Sequence, residues 1–370
     1  MTINDTGSHK EITAGQWRAK QVVRVLYANS YTAVYGSFGG MALTAFVLGD
    51  VFDSLSLWMW LSCGIILTAL RVVTYRRYTK CTEAMPPEAW LLWHRGMTLF
   101  SGCLYGALGV FFFADNPLYQ ALVIFLVGGM ASGAVGTYSV DLLTYRLFLF
   151  PALIPLMARV LVEGERPHLA MAMLLGMLSL VLMRSAREAN RVMMENIDMT
   201  HSLQYRATHD SLVGLLNREE FENIFKIQTE GTQVTCALLF IDLDNFKAVN
   251  DTLGHQAGDK ALQRIGEIIR AAVRAEDTAA RMGGDEFMIL LSPCTVDQAE
   301  IVAAHLLEKI DESQKALPDN HPRLGASIGI GYSINEKVTY QSMLKAADNA
   351  CYDIKKSGKG HFAKRHVGDV

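Results

Sequence analysis

The sequence predicts a chain of two unlike parts: an all-α membrane bundle of six spans, then an α/β domain with a mainly antiparallel central sheet and surrounding helices. Two observations lead there. Up to about residue 183, apolar residues crowd into runs of roughly 20, the length that crosses a bilayer's hydrocarbon core. Beyond that point charge returns, and stretches of helical period alternate with stretches of period two. The formal net charge of −3, without any Lys/Arg stripe interleaved with aromatics, argues against a nucleic-acid partner.

Taken in order, the chain divides into a polar tail (1–29), a six-span region (30–183), a helical, coiled-coil-like connector (184–206) and a cytoplasmic domain (207–370). The tail lacks the charged start, apolar core and small-residue site of a signal peptide, so no cleavage is expected. The spans are placed at 30–52, 56–75, 91–113, 117–139, 142–162 and 167–183. Basic residues gather in the tail (Lys10, Arg18, Lys20, Arg24), the second loop (Arg76, Arg77, Lys80) and the exit from the last span (Arg184, Arg187, Arg191). The first and third loops carry only Asp50, Asp53 and Asp115. By the positive-inside tendency both termini are cytoplasmic, although Arg159 and Arg166 then fall outside, beside Glu163 and Glu165.

Gly36 with Gly40, and Gly129 with Gly133, share helix faces on which helices can pack closely. His94, Arg95 and Arg146 fall near the cytoplasmic ends, where they can snorkel, and no deep charge pair points to a transporter. Cys63, Cys81, Cys103, Cys236, Cys294 and Cys351 show no metal spacing and read as small buried hydrophobes. In the connector, Leu182, Ala186, Ala189, Met193, Ile197, Leu203 and Ala207 recur at three-four spacing without Gly or Pro. One helix continuing from the last span, either a weak parallel coiled coil or a plain amphipathic linker, fits this pattern.

The cytoplasmic part reads as helix 210–228, strand 234–243, helix 251–274, hairpin 278–291, helix 296–311, strand 325–333 and helix 339–356. Within the hairpin, RMGGDEFMILL places Gly283 and Gly284 at a tight turn, immediately before Asp285 and Glu286. The run FIDLDNFKAVND puts Asp242 and Asp244 at the end of a buried-looking strand and then supplies Lys247, Asn250 and Asp251. If that strand lies beside the hairpin, Asp242 and Asp285 can share a hard cation such as Mg²⁺ with phosphate oxygens, which predicts a nucleoside triphosphate. No GxxxxGK[ST] loop is present, so the phosphate site is not of the P-loop kind.

Four motifs, DSLVGLLNR (210–218), FIDLDNFKAVND (240–251), GHQAGD (254–259) and GGDEF (283–287), resemble the GGDEF family of diguanylate cyclases in order and spacing, over about residues 206–366. The membrane part resembles only the general plan of multi-span sensory inputs. The resemblance implies condensation of two GTP molecules into cyclic di-GMP and two pyrophosphates, at a site shared by a homodimer. It implies that Asp242, the backbone carbonyl of Leu243 and Asp285 bind Mg²⁺, with Mn²⁺ an alternative, and that Glu286 belongs with Asp285 to the same catalytic centre, helping to hold the metal or to activate the ribose 3′-hydroxyl. Asn250 and Asp259 are then expected to read guanine, Lys247, Lys355 and Lys359 to contact phosphates, and Gly283 and Gly284 to leave room for the nucleotide. Arg274 and Asp277 match the family's RxxD site, at which cyclic di-GMP, the product, inhibits.

Three positions depart from the family pattern: Lys359 stands where arginine is usual, Gly360 where asparagine is usual, and Val213 where threonine is usual. Lysine keeps the charge but loses the bidentate fork. The resemblance implies a multi-pass protein of the bacterial cytoplasmic membrane, answering a stimulus that the sequence does not name. With the sequence ending at Val370, no EAL-type phosphodiesterase domain is expected to follow. The competing readings are a catalytically silent receptor for GTP or cyclic di-GMP and, more remotely, a transporter with a regulatory tail.

Overall fold

The computed structural model describes residues 14–52, 54–229, 232–315 and 322–369. Lys10, Asp53 and Val370, named above, lie outside these residues. The chain separates into two compact units, with the division between Thr200 and His201.

The N-terminal unit is built from α1 (Ala14–Ala28), α2 (Ser30–Leu48), α3 (Ser54–Lys80), α4 (Pro87–Phe111), α5 (Pro117–Tyr138), α6 (Leu142–Glu163) and α7 (Arg166–Thr208). Five helical stretches are long and apolar enough to cross a membrane: Gly15–Leu48, Leu55–Lys80, Pro117–Tyr138, Leu142–Glu163 and Arg166–Thr208. The span expected at 91–113 is the helix α4, which is long enough but is not among the five. Its buried face explains why, because Thr98, Ser101, Gly102, Gly106 and Gly109 stand there in place of large aliphatic residues.

That small-residue face packs on α6. A Cβ added at Gly102 would meet the Phe148 carbonyl oxygen at 2.6 Å and that of Leu147 at 2.9 Å, and one added at Gly106 would meet that of Pro151 at 2.1 Å. Pro151 and Pro155 lie inside α6 and lack the N–H groups that would otherwise take the Leu147 and Pro151 carbonyls. Prolines on one helix thus expose carbonyls that glycines on the other approach. Of the glycine pairs expected to pack, Gly40 does so, since a Cβ there would meet Tyr105 Oη at 2.6 Å. Gly129 and Gly133 do not, because an added Cβ at either meets nothing within 4 Å.

Three further expectations for this unit need correction. Cys63, Cys81 and Cys103 are exposed; only Cys236, Cys294 and Cys351 are buried. His94, expected to snorkel, is buried at 5% exposure, as is Arg71 on α3, which the sequence does not set apart. In the connector, Leu182 and Ala186 are buried in the unit's own core, and Met193 and Ile197 pack against it, so this part of the stripe is occupied within the chain. Leu203 and Ala207 remain exposed. Arg159, awkward for the topology, lies 2.7 Å from Glu163 and is neutralised by it.

In the C-terminal unit follow α8 (Arg218–Thr229), β1 (Gln233–Asp244), α9 (Phe246–Leu253), α10 (His255–Ala272), β2 (Thr278–Gly283), β3 (Glu286–Leu291), α11 (Val296–Lys315), β4 (Gly325–Lys337), α12 (Tyr340–Ser357) and β5 (Phe362–His366). The sheet order is β2-β3-β1-β4-β5, antiparallel except for the parallel pair β4 and β5. Strand alternation along β1 splits the core in two. Ala237, Leu239 and Ile241 join Leu262, Ile265 and Leu306 of α10 and α11, while Cys236, Leu238 and Phe240 join Phe221, Phe225 and Met343 of α8 and α12.

The predicted elements differ in three places. Residues 210–217 form no helix; the Asp210 carboxylate accepts from the Leu212 and Val213 amides at 3.0 Å each, and Leu216 bridges to Ala280. The helix expected over 251–274 is two helices divided at Gly254. The edge strand β5 was not expected, because FAKRH carries little apolar alternation.

Candidate active site

The acidic residues gather because of register. Asp242 near the end of β1 pairs directly with Glu286 at the start of β3, and the Leu243 amide donates to the Asp285 carbonyl at 3.2 Å. Parity sets their direction: Asp242 and Asp244 share a face with Phe240, and Glu286 shares it with Met288, so all three look toward α12. Between the strands the turn is made by Gly284 and Asp285, with φ of +142° at Gly283 and +55° at Gly284. An added Cβ at either glycine meets nothing within 4 Å, so backbone conformation, not packing within the protein, is what demands glycine here.

Arg281, not singled out in the sequence, holds this turn. Its Nη2 and Nε donate to the Gly284 carbonyl at 2.7 and 3.0 Å, and its Nη1 lies 3.3 Å from both oxygens of Asp210. The available signal was a lone arginine in an otherwise apolar strand, one residue ahead of the Met-Gly-Gly turn. The DSLVGLLNR segment thereby acts as a brace for the glycine turn, which explains why it is a loop.

Lys355, from the last turn of α12, reaches Asp242 with Nζ 2.6 Å from Oδ2. Burial pushes the Asp242 carboxyl above its usual range; the Lys355 bond opposes this, while Asp285 and Asp244 add to it. Burial, then the charges of Asp242 and Asp285, also raise Glu286. Asp242, Asp285 and Glu286 are hard oxygen donors that repel one another, which suits a divalent cation. Among the described residues no group of three or more His, Cys, Asp or Glu side chains is assembled to hold a metal.

Asp244 serves another purpose. It is 5% exposed, and its Oδ2 accepts from Ser327 Oγ at 2.9 Å and from the Gly360 amide at 3.2 Å. It thus ties β1 to the turn that carries Lys359, where Lys359 and Gly360 have φ of +63° and +72°. Glycine and asparagine both tolerate that left-handed conformation, so Gly360 is a mild departure. Val213 is buried, and its backbone carbonyl accepts from Arg270 at 2.9 Å, a bond for which a threonine hydroxyl is not needed.

The remaining expected residues sit on α9 and α10. Lys247 is exposed on α9, Asn250 is half-buried on the same helix, and Asp259 is exposed on α10. A Cβ on Gly258 would come within 1.9 Å of Asn250 Oδ1, so the missing side chain lets the carboxamide rest against α10 beside Asp259. Arg274 and Asp277 line a separate hollow with Leu291, Pro293, Cys294 and Gln298. There Asp277 accepts from the backbone amide of Arg274 at 2.9 Å. Burial raises its carboxyl above the usual value.

Comparison with known proteins shows what the C-terminal unit is similar to. The profile described as "Diguanylate cyclase, GGDEF domain" matches residues 207–361. The chain is 37% identical over 169 residues to the probable diguanylate cyclase DgcE of Escherichia coli, covering 45% of this chain and 15% of that protein. It is 34% identical over 184 residues to the cyclic di-GMP phosphodiesterase NbdA of Pseudomonas aeruginosa, covering 48% and 23%. Among solved structures it is similar to the GGDEF domain of DgcB from Caulobacter crescentus in complex with c-di-GMP, at 27% identity and a TM-score of 0.37, covering 44% of this chain and 96% of that one. The chain thus spans less than a quarter of the length of these two curated relatives.

Proposed function

Because residues 207–361 carry a GGDEF domain of the diguanylate cyclase family, we propose that the protein condenses two GTP molecules into cyclic di-GMP and two pyrophosphates. The observation that carries this reading is the strand register that sets Asp242 opposite Glu286, with Asp285 in the adjoining glycine turn. Asp242, Asp285 and the Leu243 carbonyl would hold Mg²⁺ or Mn²⁺. The ion would supply charge neutralisation at the triphosphate and make the ribose 3′-hydroxyl more acidic.

The chain's own residues do the rest. Glu286, held above the usual glutamate range, is placed to accept the proton of the 3′-hydroxyl as its oxygen bonds to the α-phosphorus of the second GTP and pyrophosphate departs. Asn250 and Asp259 offer guanine an amide and a carboxylate, which suit its acceptor and donor edges. Lys247, Lys355 and Lys359 spread phosphate charge. The Gly283–Gly284 turn leaves the nucleotide an unobstructed floor. One domain presents one GTP, so a homodimer completes the reaction, and Arg274 with Asp277 binds the product as inhibitor.

Control comes from the N-terminal unit, read as a multi-pass region of the bacterial cytoplasmic membrane with both termini cytoplasmic. In this reading α4 is the sixth span, its small and polar residues turned inward. The exposed Leu203 and Ala207 of α7 are the part of the connector left to pair with a second chain.

A second reading, a silent receptor for GTP or cyclic di-GMP, is favoured by Lys355, which already neutralises Asp242. The two separate on one variant. The enzyme forms cyclic di-GMP in its native form and loses it in Asp285→Ala at any Mg²⁺ concentration while the domain stays folded, whereas the receptor forms none in either; a near-normal rate in the variant refutes the role of Asp285.

A further inference from the structure

The N-terminal unit buries a full positive charge that has no carboxylate partner among the described residues. Arg71 lies on α3 about 13 Å of helix before the end at Lys80, and is 5% exposed. Its Nη1 donates to Tyr138 Oη at 2.6 Å, and its Nη2 to Ser101 Oγ at 2.9 Å and the Met97 carbonyl at 3.5 Å. All three acceptors are neutral, and among the described residues no carboxylate lies within 4.0 Å of this guanidinium. Asp141 is already engaged, accepting from Arg95 at 2.8 and 3.0 Å and from the Thr144 hydroxyl and amide.

A second orphan faces the same ring. The guanidinium carbon of Arg71 is 5.7 Å from the centroid of the Tyr138 ring, and the His94 ring lies 5.9 Å from it. His94 is also 5% exposed, and its Nδ1 is buried with no hydrogen-bond partner. Arginine does not neutralise itself by losing its proton, so a buried guanidinium among neutral groups is an uncompensated charge. Inside a membrane bundle such a residue is a ligand-site hypothesis in its own right.

We propose that Arg71 and His94 form a binding site for a small carboxylate within the N-terminal unit. The planar pair of oxygens matches the guanidinium fork, and the imidazole offers a donor from a second direction. The hydroxyls of Tyr138 and Ser101, which now accept from Arg71, can rotate to donate to the anion. The site is also connected to the output helix. Tyr138 ends α5, and the next two carbonyls, of Ser139 and Val140, both accept from Asn190 Nδ2 of α7 at 2.8 Å. A shift of Tyr138 on binding is thereby felt where α7 is gripped.

The test uses the full chain in phosphatidylcholine nanodiscs, with thermal unfolding followed by tryptophan fluorescence. All five tryptophans, Trp17, Trp58, Trp60, Trp90 and Trp93, lie in the N-terminal unit, so the signal reports this part whatever the C-terminal domain does. Acetate is titrated against chloride at equal ionic strength, with inorganic phosphate as a second anion. The expected result is a saturable rise of roughly 2–4 °C in the midpoint with acetate. Arg71→Met removes the rise and in chloride unfolds no lower than the native chain; His94→Ala weakens the acetate response severalfold. An acetate curve indistinguishable from chloride, or one retained in full by either variant, overturns the site. A response to phosphate and not acetate overturns the carboxylate assignment.

Discussion

Lys355 Nζ lies 2.6 Å from Asp242 Oδ2, so the carboxylate best placed to take a divalent cation already has a cation. In the proposed reading, ammonium and metal compete for it. Lys355 is 38% exposed, which screens the pair but leaves the lysine free to swing toward an arriving triphosphate. Lys355→Met is expected to lower the half-saturating Mg²⁺ concentration on the order of threefold and to raise the KM for GTP by a comparable factor. Mg²⁺ titrations of initial rate at saturating and limiting GTP check both. If both parameters move upward together, Lys355 is not a competitor.

The brace between Arg281, Asp210 and the Gly284 carbonyl predicts a loss that reaches the turn. Replacing the guanidinium in Arg281→Met leaves a half-buried carboxylate and a turn carbonyl without their donor, at a cost of about 2 kcal/mol. Urea unfolding of the C-terminal unit reads this directly. The same variant raises the KM for GTP, because Gly283 to Glu286 are no longer held in place. Unchanged stability with unchanged KM shows that the contacts carry no weight.

At Gly360 the left-handed backbone separates two substitutions of similar size. Gly360→Asn keeps φ near +72° and its amide on Asp244, so the KM for GTP stays within about twofold. Gly360→Val strains the turn by about 1–2 kcal/mol and raises the KM on the order of tenfold. Equal KM values for the two variants exclude a conformational role at this position.

If Arg274 and Asp277 bind the product as proposed, inhibition is expected to depend on pH through Asp277. Burial raises its carboxyl, so the ionised form that accepts from the guanine amine is lost at a higher pH than for an ordinary aspartate. Affinity for cyclic di-GMP is full above that raised value and declines as pH falls through it. Calorimetric titration across the acid range reveals this decline, and Asp277→Asn removes it; an Asp277→Asn variant that keeps the native profile assigns it to another group.

Much of the fold of the C-terminal unit was legible because its signals are local. The alternation of β1, the Gly-Gly turn and the periodicity of α11 and α12 each lie within one element. What was missed depends on contacts distant in sequence. Residues 210–217 look helical by composition but are held as a loop by Asp210, whose partner Arg281 is far along the chain. The strand β5 is specified by its parallel pairing with β4, not by its own pattern. In the N-terminal unit glycines four apart occur in several helices, and it is the approach to the α6 backbone, including carbonyls exposed by Pro151 and Pro155, that marks Gly102 and Gly106 as a close pair. The seven-residue stripe of α7 looks like one seam in the sequence, yet its first half serves the chain's own core.

The most direct measurement is cyclic di-GMP formation from GTP and Mg²⁺, by the full chain in nanodiscs and by residues 201–370 at high concentration, each beside its Glu286→Ala counterpart. Product from a native protein, absent from its Glu286→Ala counterpart, is the predicted result. Folded proteins that bind GTP, form dimers and yield no product in either format contradict the cyclase reading and leave the receptor in its place.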